Sequence, residues 1–206
     1  MQFDVGLIGF GEAGMTFAQC GGWRDRATAY DRKTDQGRLL CSEKLADYAS
    51  AGIIDSLNTI DAAGSAPVVL SLVTADQALA AARAAAPGLR PGTLYCDGNS
   101  VAPDTKCEAA RFVEDAGAHY VDMAILAPVN PAQLSVPVLL SGIFADDARS
   151  ALRNLGFDSV RVVGDAVGRA SAIKMIRSVM VKGIEALTAE CVIAATRADV
   201  LDEVLA

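Results

Sequence analysis

Histidine occurs once in the 206 residues, at His119. Ser-His-Asp hydrolysis would have to use that single imidazole, and no Gly-x-Ser-x-Gly elbow accompanies it. His119 reads instead as the opening of a strand. The five cysteines, at 20, 41, 96, 107 and 191, are odd in number and lack Cys-x-x-Cys spacing. This argues against a disulfide frame or a zinc site and predicts a reduced, cytoplasmic protein without a metal. Basic residues are in the minority, 18 Lys and Arg against 25 Asp and Glu. A net charge of −7 and a pI near 4.7 exclude nucleic acid and anionic membrane as natural partners. No apolar run approaches the ~20 residues that span a bilayer. A first strand that begins by Phe3 leaves no room for a signal peptide.

What is present is ample apolar material: 52% hydrophobic residues and a mean hydropathy of +0.31. The length suits one large domain, or a domain of about 150 residues with an appendage. The most informative stretch is Val5-Gly6-Leu7-Ile8-Gly9-Phe10-Gly11-Glu12-Ala13-Gly14. It reads as a short strand that runs into Gly-x-Gly-x-x-Gly and opens a helix through Met15, Phe17 and Ala18. In a dinucleotide site Gly9 would make the tight turn, Gly11 would let the backbone approach a pyrophosphate, and Gly14 would allow close helix–strand packing. The phosphates would lie against the N–H groups of the helix N-terminus. The second strand, Thr28-Ala29-Tyr30-Asp31, ends in an acid 22 residues beyond Gly9, where a carboxylate that grips the ribose is expected.

The rest of the chain keeps the same alternation. A helix from Gln36 to about Ala49 can turn Leu39, Leu40, Leu45 and Tyr48 to the sheet. Val68 to Val73 is a continuous apolar run, as in strands buried on both faces. Thr74-Ala75-Asp76 is expected to cap an alanine-rich helix over 76–86. Further strands fall at 93–97, 118–122, 136–142 and 160–163, with helices at about 104–116 and 146–155. The pattern predicts an α/β fold: a Rossmann-like, doubly wound, mostly parallel sheet over residues 1–166. Ligands on such sheets collect beyond the carboxyl ends of the strands, which gathers loops 9–14, 31–33, 72–74 and 97–103. From Gly168 the period changes. Ile173, Ile176, Val179, Met180, Ile184, Leu187 and Cys191 recur at helical spacing, predicting one long amphipathic helix. Residues 167–206 then form that helix and the start of a helical domain that stops early.

Four landmarks, in order, resemble the beta-hydroxyacid dehydrogenases, the family of 6-phosphogluconate and 3-hydroxyisobutyrate dehydrogenases. They are Gly9–Gly14, Asp97-Gly98-Asn99-Ser100-Val101-Ala102-Pro103, Gly164-Asp165-Ala166-Val167-Gly168, and Lys174 on the long helix. Two positions depart from the family: Ser178 stands where asparagine is usual, and Ala124-Ile125-Leu126-Ala127-Pro128 replaces a Ser-Gly-Gly loop. The chain is similar here to a branch labelled 6-phosphogluconate dehydrogenase-like.

The resemblance implies an NAD(P)-dependent oxidoreductase that moves a hydride between nicotinamide and a small 3-hydroxy acid. Lys174 would be the general acid/base, its pKa lowered by burial and by Arg177 and Arg169. Ser100, Lys174 and Ser178 would bind substrate. Gly9, Phe10, Gly11, Glu12, Ala13, Gly14, Asp31, Arg32, Leu72, Val73, Thr74, Asn99 and Ser100 would hold the cofactor. Asn99 and Ser100 also read as simple helix caps, and Ser178 as a residue bonded to its own helix. Asp31 favours NAD, while Arg32 and Lys33 suit the 2′-phosphate of NADP. An imine reductase of the same superfamily and a non-catalytic dinucleotide-binding module or fragment are the alternatives. The uncovered helical stripe predicts a homodimer.

Overall fold

Side chains that alternate between two faces decide the architecture. Along β1 (Val5–Ile8), Val5 and Leu7 enter one buried cluster and Ile8 enters another. β4 (Val68–Ser71) and β5 (Leu94–Asp97) repeat this: Leu70 and Cys96 face the first cluster, Val69 and Tyr95 the second. A sheet apolar on both faces must be covered on both. In the computed structural model, which describes residues 3–206, helices cover each side. The first cluster is closed by α1 (Glu12–Cys20), α2 (Arg38–Ala51) and, further along the chain, α6 (Ala145–Asn154). The second is closed by α3 (Thr59–Gly64), α4 (Ala78–Ala85) and α5 (Pro103–Asp115).

The remaining strands are β2 (Ala27–Tyr30), β3 (Ile54–Asp55), β6 (His119–Ile125), β7 (Val138–Ser141) and β8 (Val160–Val162). The eight lie in the order β3-β2-β1-β4-β5-β6-β7-β8. Every pair is parallel except β6–β7. The exception follows from its connection. Residues 126–137 carry only a 3₁₀ turn, Gln133–Ser135, and no crossover helix, so β7 runs back along β6. Rossmann-like is the plain description of this α/β fold, and the sheet reverses its winding between β1 and β4. His119 opens β6 as expected, its ring stacked on Phe144.

Three local expectations are corrected. On α2, Leu39 and Leu45 are exposed and the buried residues are Lys44, Tyr48 and Ala51. Tyr48 faces the core as expected, and Lys44 joins it because its Nζ reaches the Phe10 carbonyl. The Thr74–Asp76 segment caps nothing with a side chain: a 3₁₀ turn occupies 75–77 and α4 begins at Ala78. β6 extends past Asp122 to Ile125, since β7 supplies it with partners.

Two carboxylates, Asp97 and Asp122, face each other across β5 and β6 and are fully buried. Between them stands Lys106 of α5, also fully buried, with Nζ 3.0 Å from Asp97 Oδ1 and 3.4 Å from Asp122 Oδ1. Asp122 in turn receives the start of α7 (Arg169–Arg197). Ser171 N–H donates to its Oδ2 at 3.0 Å and the Ser171 hydroxyl to its Oδ1 at 2.6 Å. With Ala170 N–H on Ser141 Oγ, the first donors of that helix are satisfied.

The chain divides into two units, the first ending at Ala172 and the second comprising Ile173–Ala206. The second holds most of α7 and the short α8 (Leu201–Leu205). Along α7, Ile176, Val179 and Leu187 are 73, 76 and 72% exposed. No helix among the described residues is long and apolar enough to cross a membrane.

Lys106→Met removes the cation from two facing buried carboxylates. A loss of about 3–5 kcal/mol in unfolding free energy is expected by urea denaturation. A loss below about 1 kcal/mol would show that the carboxylates do not depend on it.

Candidate cofactor-binding site

Backbone ladders carry the strand ends slightly past the sheet and fix the loops there. Gly9 N–H donates to Tyr30 O at 2.8 Å, Leu72 N–H to Ile8 O at 2.8 Å, and Gly98 N–H to Ser71 O at 2.9 Å. Where the winding reverses, a cleft of about 690 Å³ opens. Gly9, Gly11, Glu12, Ala13, Asp31, Arg32, Leu72, Val73 and Thr74 line it, all of them anticipated from the sequence. Tyr30, Lys33, Gln36 and Gln77 line it as well.

The three glycines have separate reasons. Gly9 has φ +87°, and a Cβ there would lie 2.5 Å from Leu72 O, so the turn itself requires it. A Cβ on Gly14 would sit 3.0 Å from Gly9 O, which is the close helix–strand approach. Gly11 differs: its φ is −85°, and a Cβ would meet nothing within 4 Å. The protein's own packing gives no reason for glycine there. A ligand that lies against the backbone would. Gly11 is also the N-cap of α1 and supplies no side-chain cap to it. The arrangement fits a pyrophosphate at the N-terminus of α1.

Phe10 contributes only backbone to the turn, since its side chain is fully buried in the core. Its N–H donates to Asp31 Oδ2 at 2.8 Å, while Asp31 Oδ1 accepts from Lys33 N–H at 3.0 Å. Asp31 therefore ties the second strand end to the glycine turn. Tyr30, in the cleft wall, has its phenol pushed up to about 12, by burial first and then by its bond to Asp35. It is a neutral donor at any ordinary pH. At the rim, Asp76 is held below the usual carboxylate range by hydrogen bonds from Thr74 and then Gln77.

Asn99 and Ser100 do not line this cleft. Asn99 is buried and committed to the fold: its Oδ1 accepts from Val73 N–H at 2.7 Å and its Nδ2 donates to Ser71 Oγ at 2.9 Å. It caps no helix, since α5 starts after Ala102 with no side-chain cap. Ser100 is exposed at the tip of the same loop. Lys174 and Ser178 lie one turn apart on α7, in the second unit, and both are half-buried.

The matching family model is that of the NAD binding domain of 6-phosphogluconate dehydrogenase, over residues 4–155. The chain belongs to this family. Residues 4–155 match its NAD binding domain, and the chain falls in the beta-hydroxyacid dehydrogenase superfamily. A conserved hypothetical protein of Sinorhizobium meliloti 1021 is 37% identical with a TM-score of 0.82, over all of this chain and 68% of that one. A conserved protein whose structure is described as similar to 3-hydroxyacid dehydrogenases is 31% identical with a TM-score of 0.78, over 98 and 74% of the two chains. An uncharacterized 28.5 kDa protein of Methanothermus fervidus is 28% identical, over 98% of this chain and 74% of its own. At the level of fold alone, the chain is similar to 3-hydroxyisobutyrate dehydrogenase of Mycobacterium tuberculosis, 16% identical with a TM-score of 0.78. An imine reductase of Myxococcus stipitatus, 22% identical with a TM-score of 0.79, shares the fold too.

Sequence reasoning missed two lysines, Lys44 and Lys106. Each sits in the buried register of its helix, with Tyr48 and Ala51 or with Ala109, Ala110 and Val113. A lysine in an apolar stripe was the available signal. That signal is weak because a solvated lysine is the commoner case.

The glycines give a paired prediction. Gly11→Ala is expected to leave the melting temperature within about 2 °C and weaken NADH binding at least tenfold, by steric exclusion of the pyrophosphate. Gly9→Ala should instead destabilise the protein, being strained in φ and in space. Undiminished NADH binding by Gly11→Ala, measured by fluorescence titration, would remove the pyrophosphate from this turn.

Proposed function

We propose that the chain serves an oxidoreductase acting on small 3-hydroxy acids with NAD in preference to NADP. The observation that carries this reading is Gly11, a glycine that lines the cleft and has no packing reason to be one. Membership of the family and the likeness to a protein compared with 3-hydroxyacid dehydrogenases support it. When bound, the nicotinamide dinucleotide supplies the hydride acceptor or donor. Everything else falls to the protein. The turn at 9–14 takes the pyrophosphate, and Asp31 takes the ribose hydroxyls, its negative charge disfavouring a 2′-phosphate. Asn99 shapes its loop through Ser71 and Val73, and Ser100 meets the substrate. Lys174 accepts the hydroxyl proton of the alcohol at Nζ as a neutral amine, or returns it in reduction. Ser178, one turn away, assists in substrate binding.

The test is an assay of NAD(P)H formation over a panel of hydroxy acids, on this chain and on the natural gene product, with a cyclic imine as the reductive control. NADH is expected to bind more tightly than NADPH. Lys174→Ala should keep cofactor affinity and lose roughly 10²–10⁴ in turnover. Lys174→Arg should not restore it, because a guanidinium stays protonated and cannot act as the base. Near-normal turnover by the alanine variant would make Lys174 structural, and tighter NADPH binding would reverse the cofactor assignment.

The exposed residues Ile176, Val179, Met180, Ile184 and Leu187 on α7 support a second proposal, a homodimer built on that helix. Light scattering is expected to report twice the 21.3 kDa chain mass. A clean monomer with low hydrophobic-dye binding would refute it.

A further inference from the structure

The ammonium of Lys44 is buried behind the glycine turn. Lys44 is 7% exposed, and its Nζ donates to the Phe10 carbonyl at 2.8 Å and to Asp47 Oδ2 at 2.7 Å. The other end of the same residue is also held, through Phe10 N–H on Asp31 Oδ2 at 2.8 Å. The Phe10 ring meets Tyr48, one turn beyond Lys44, edge-on at 5.0 Å. Residue 10 is thus fixed at its N–H, its carbonyl and its ring.

This use of a lysine is costly. Desolvating an ammonium is unfavourable, and a leucine or methionine in the same stripe would pack without that penalty. Asp47 is half-exposed, with a side chain 38% accessible, so it does not need a buried partner. What the ammonium uniquely reaches is the peptide between Phe10 and Gly11. That peptide is trans, the cis bond among the described residues being Asn130–Pro131. In a trans peptide the carbonyl and the following N–H point in opposite directions. With the Phe10 carbonyl turned inward to Lys44, the Gly11 N–H is turned outward, toward the cleft that Gly11 lines. A cation on the carbonyl oxygen polarises the peptide and strengthens that N–H as a donor. It also places an ammonium, shared with Asp47, behind the turn.

We propose that Lys44 is a positioning residue for the dinucleotide pyrophosphate, acting through the Phe10–Gly11 peptide. The inference rests on the assignment of the pyrophosphate to this turn. It assigns to α2 a part in cofactor binding that its exposed leucines and its place behind the cleft do not suggest.

The full chain is titrated with ADP-ribose by calorimetry and with adenosine by saturation-transfer NMR. Lys44→Met is expected to weaken ADP-ribose about 10- to 100-fold, the worth of a charge-assisted hydrogen bond, and to leave adenosine within about twofold. Lys44→Arg should recover most of the loss. Asp47→Asn breaks the ion pair but keeps the ammonium on the turn, so it should bind ADP-ribose at least as well as the unmodified chain. ADP-ribose binding by Lys44→Met within twofold of the unmodified chain would overturn the inference, as would an equal loss for adenosine. If Lys44→Met does not fold by circular dichroism, Asp47→Asn decides, and tenfold weakening there would overturn it. Failure of the unmodified chain to bind ADP-ribose would overturn the dinucleotide site, and this inference with it.

Discussion

Asp97 and Asp122 occupy opposed positions on neighbouring strands, both without access to water. Two like charges so placed repel each other strongly unless something between them is positive. Lys106 provides the cation, and the N-terminus of α7 provides partial positive charge and two hydrogen bonds to Asp122. Tyr120 completes the set by donating to Asp97 Oδ2 at 2.6 Å. Its phenol is pushed well up, by burial first and then by the Asp97 charge, so it remains a donor. Much of the geometry around β5 and β6 follows from this arrangement. α5 must dock with Lys106 between the strands, and the loop after Asp97 is held by Asn99 N–H on Asp97 Oδ1 at 2.9 Å. The first turn of α7 must meet Asp122. One buried charge cluster therefore fixes both the 97–100 loop and the first turn of α7, at Ala170 and Ser171.

The cleft beside the glycine turn is built by a different device. Its wall is backbone, shaped at the turn from strand to helix, and it is made rigid from behind. Asp31 and Lys44 grip the two ends of Phe10 while the core holds its ring. On the cleft side the turn carries no Cβ at Gly11 and no side-chain cap on α1. A turn held rigid from behind suits a phosphate, because donors already aimed cost little reorganisation on binding. The polar residues at the rim, Arg32, Lys33, Gln36 and Gln77, are exposed or half-buried.

The sequence alone located the glycine turn, the acid that follows the second strand, the buried parallel strands and the long helix from Arg169. Each is written in short-range pattern: glycine spacing, continuous apolar runs, or a 3.6-residue period. Of the two readings of Asn99, the helix cap is the one the structure overturns. Its side chain joins two loops instead of capping a helix, and the partners, Ser71 and Val73, lie 28 and 26 residues away. The face of α2 was misjudged for a similar reason. Leu39, Leu40 and Leu45 point in different directions around the helix, so of the expected set only Tyr48 lies on the buried face, and local periodicity marks no single face.

That choice belonged to the tertiary structure. A helix settles on the face whose burial satisfies all its groups, and Lys44 is acceptable inside only because the Phe10 carbonyl, 34 residues distant, waits for it. The same holds for Lys106, which could be buried only where Asp97 and Asp122 meet on adjacent strands. Apolar burial is nearly additive along the chain, so its pattern is legible residue by residue. A buried charge is tolerated solely through its partner, and the partner is known only when the chain has folded.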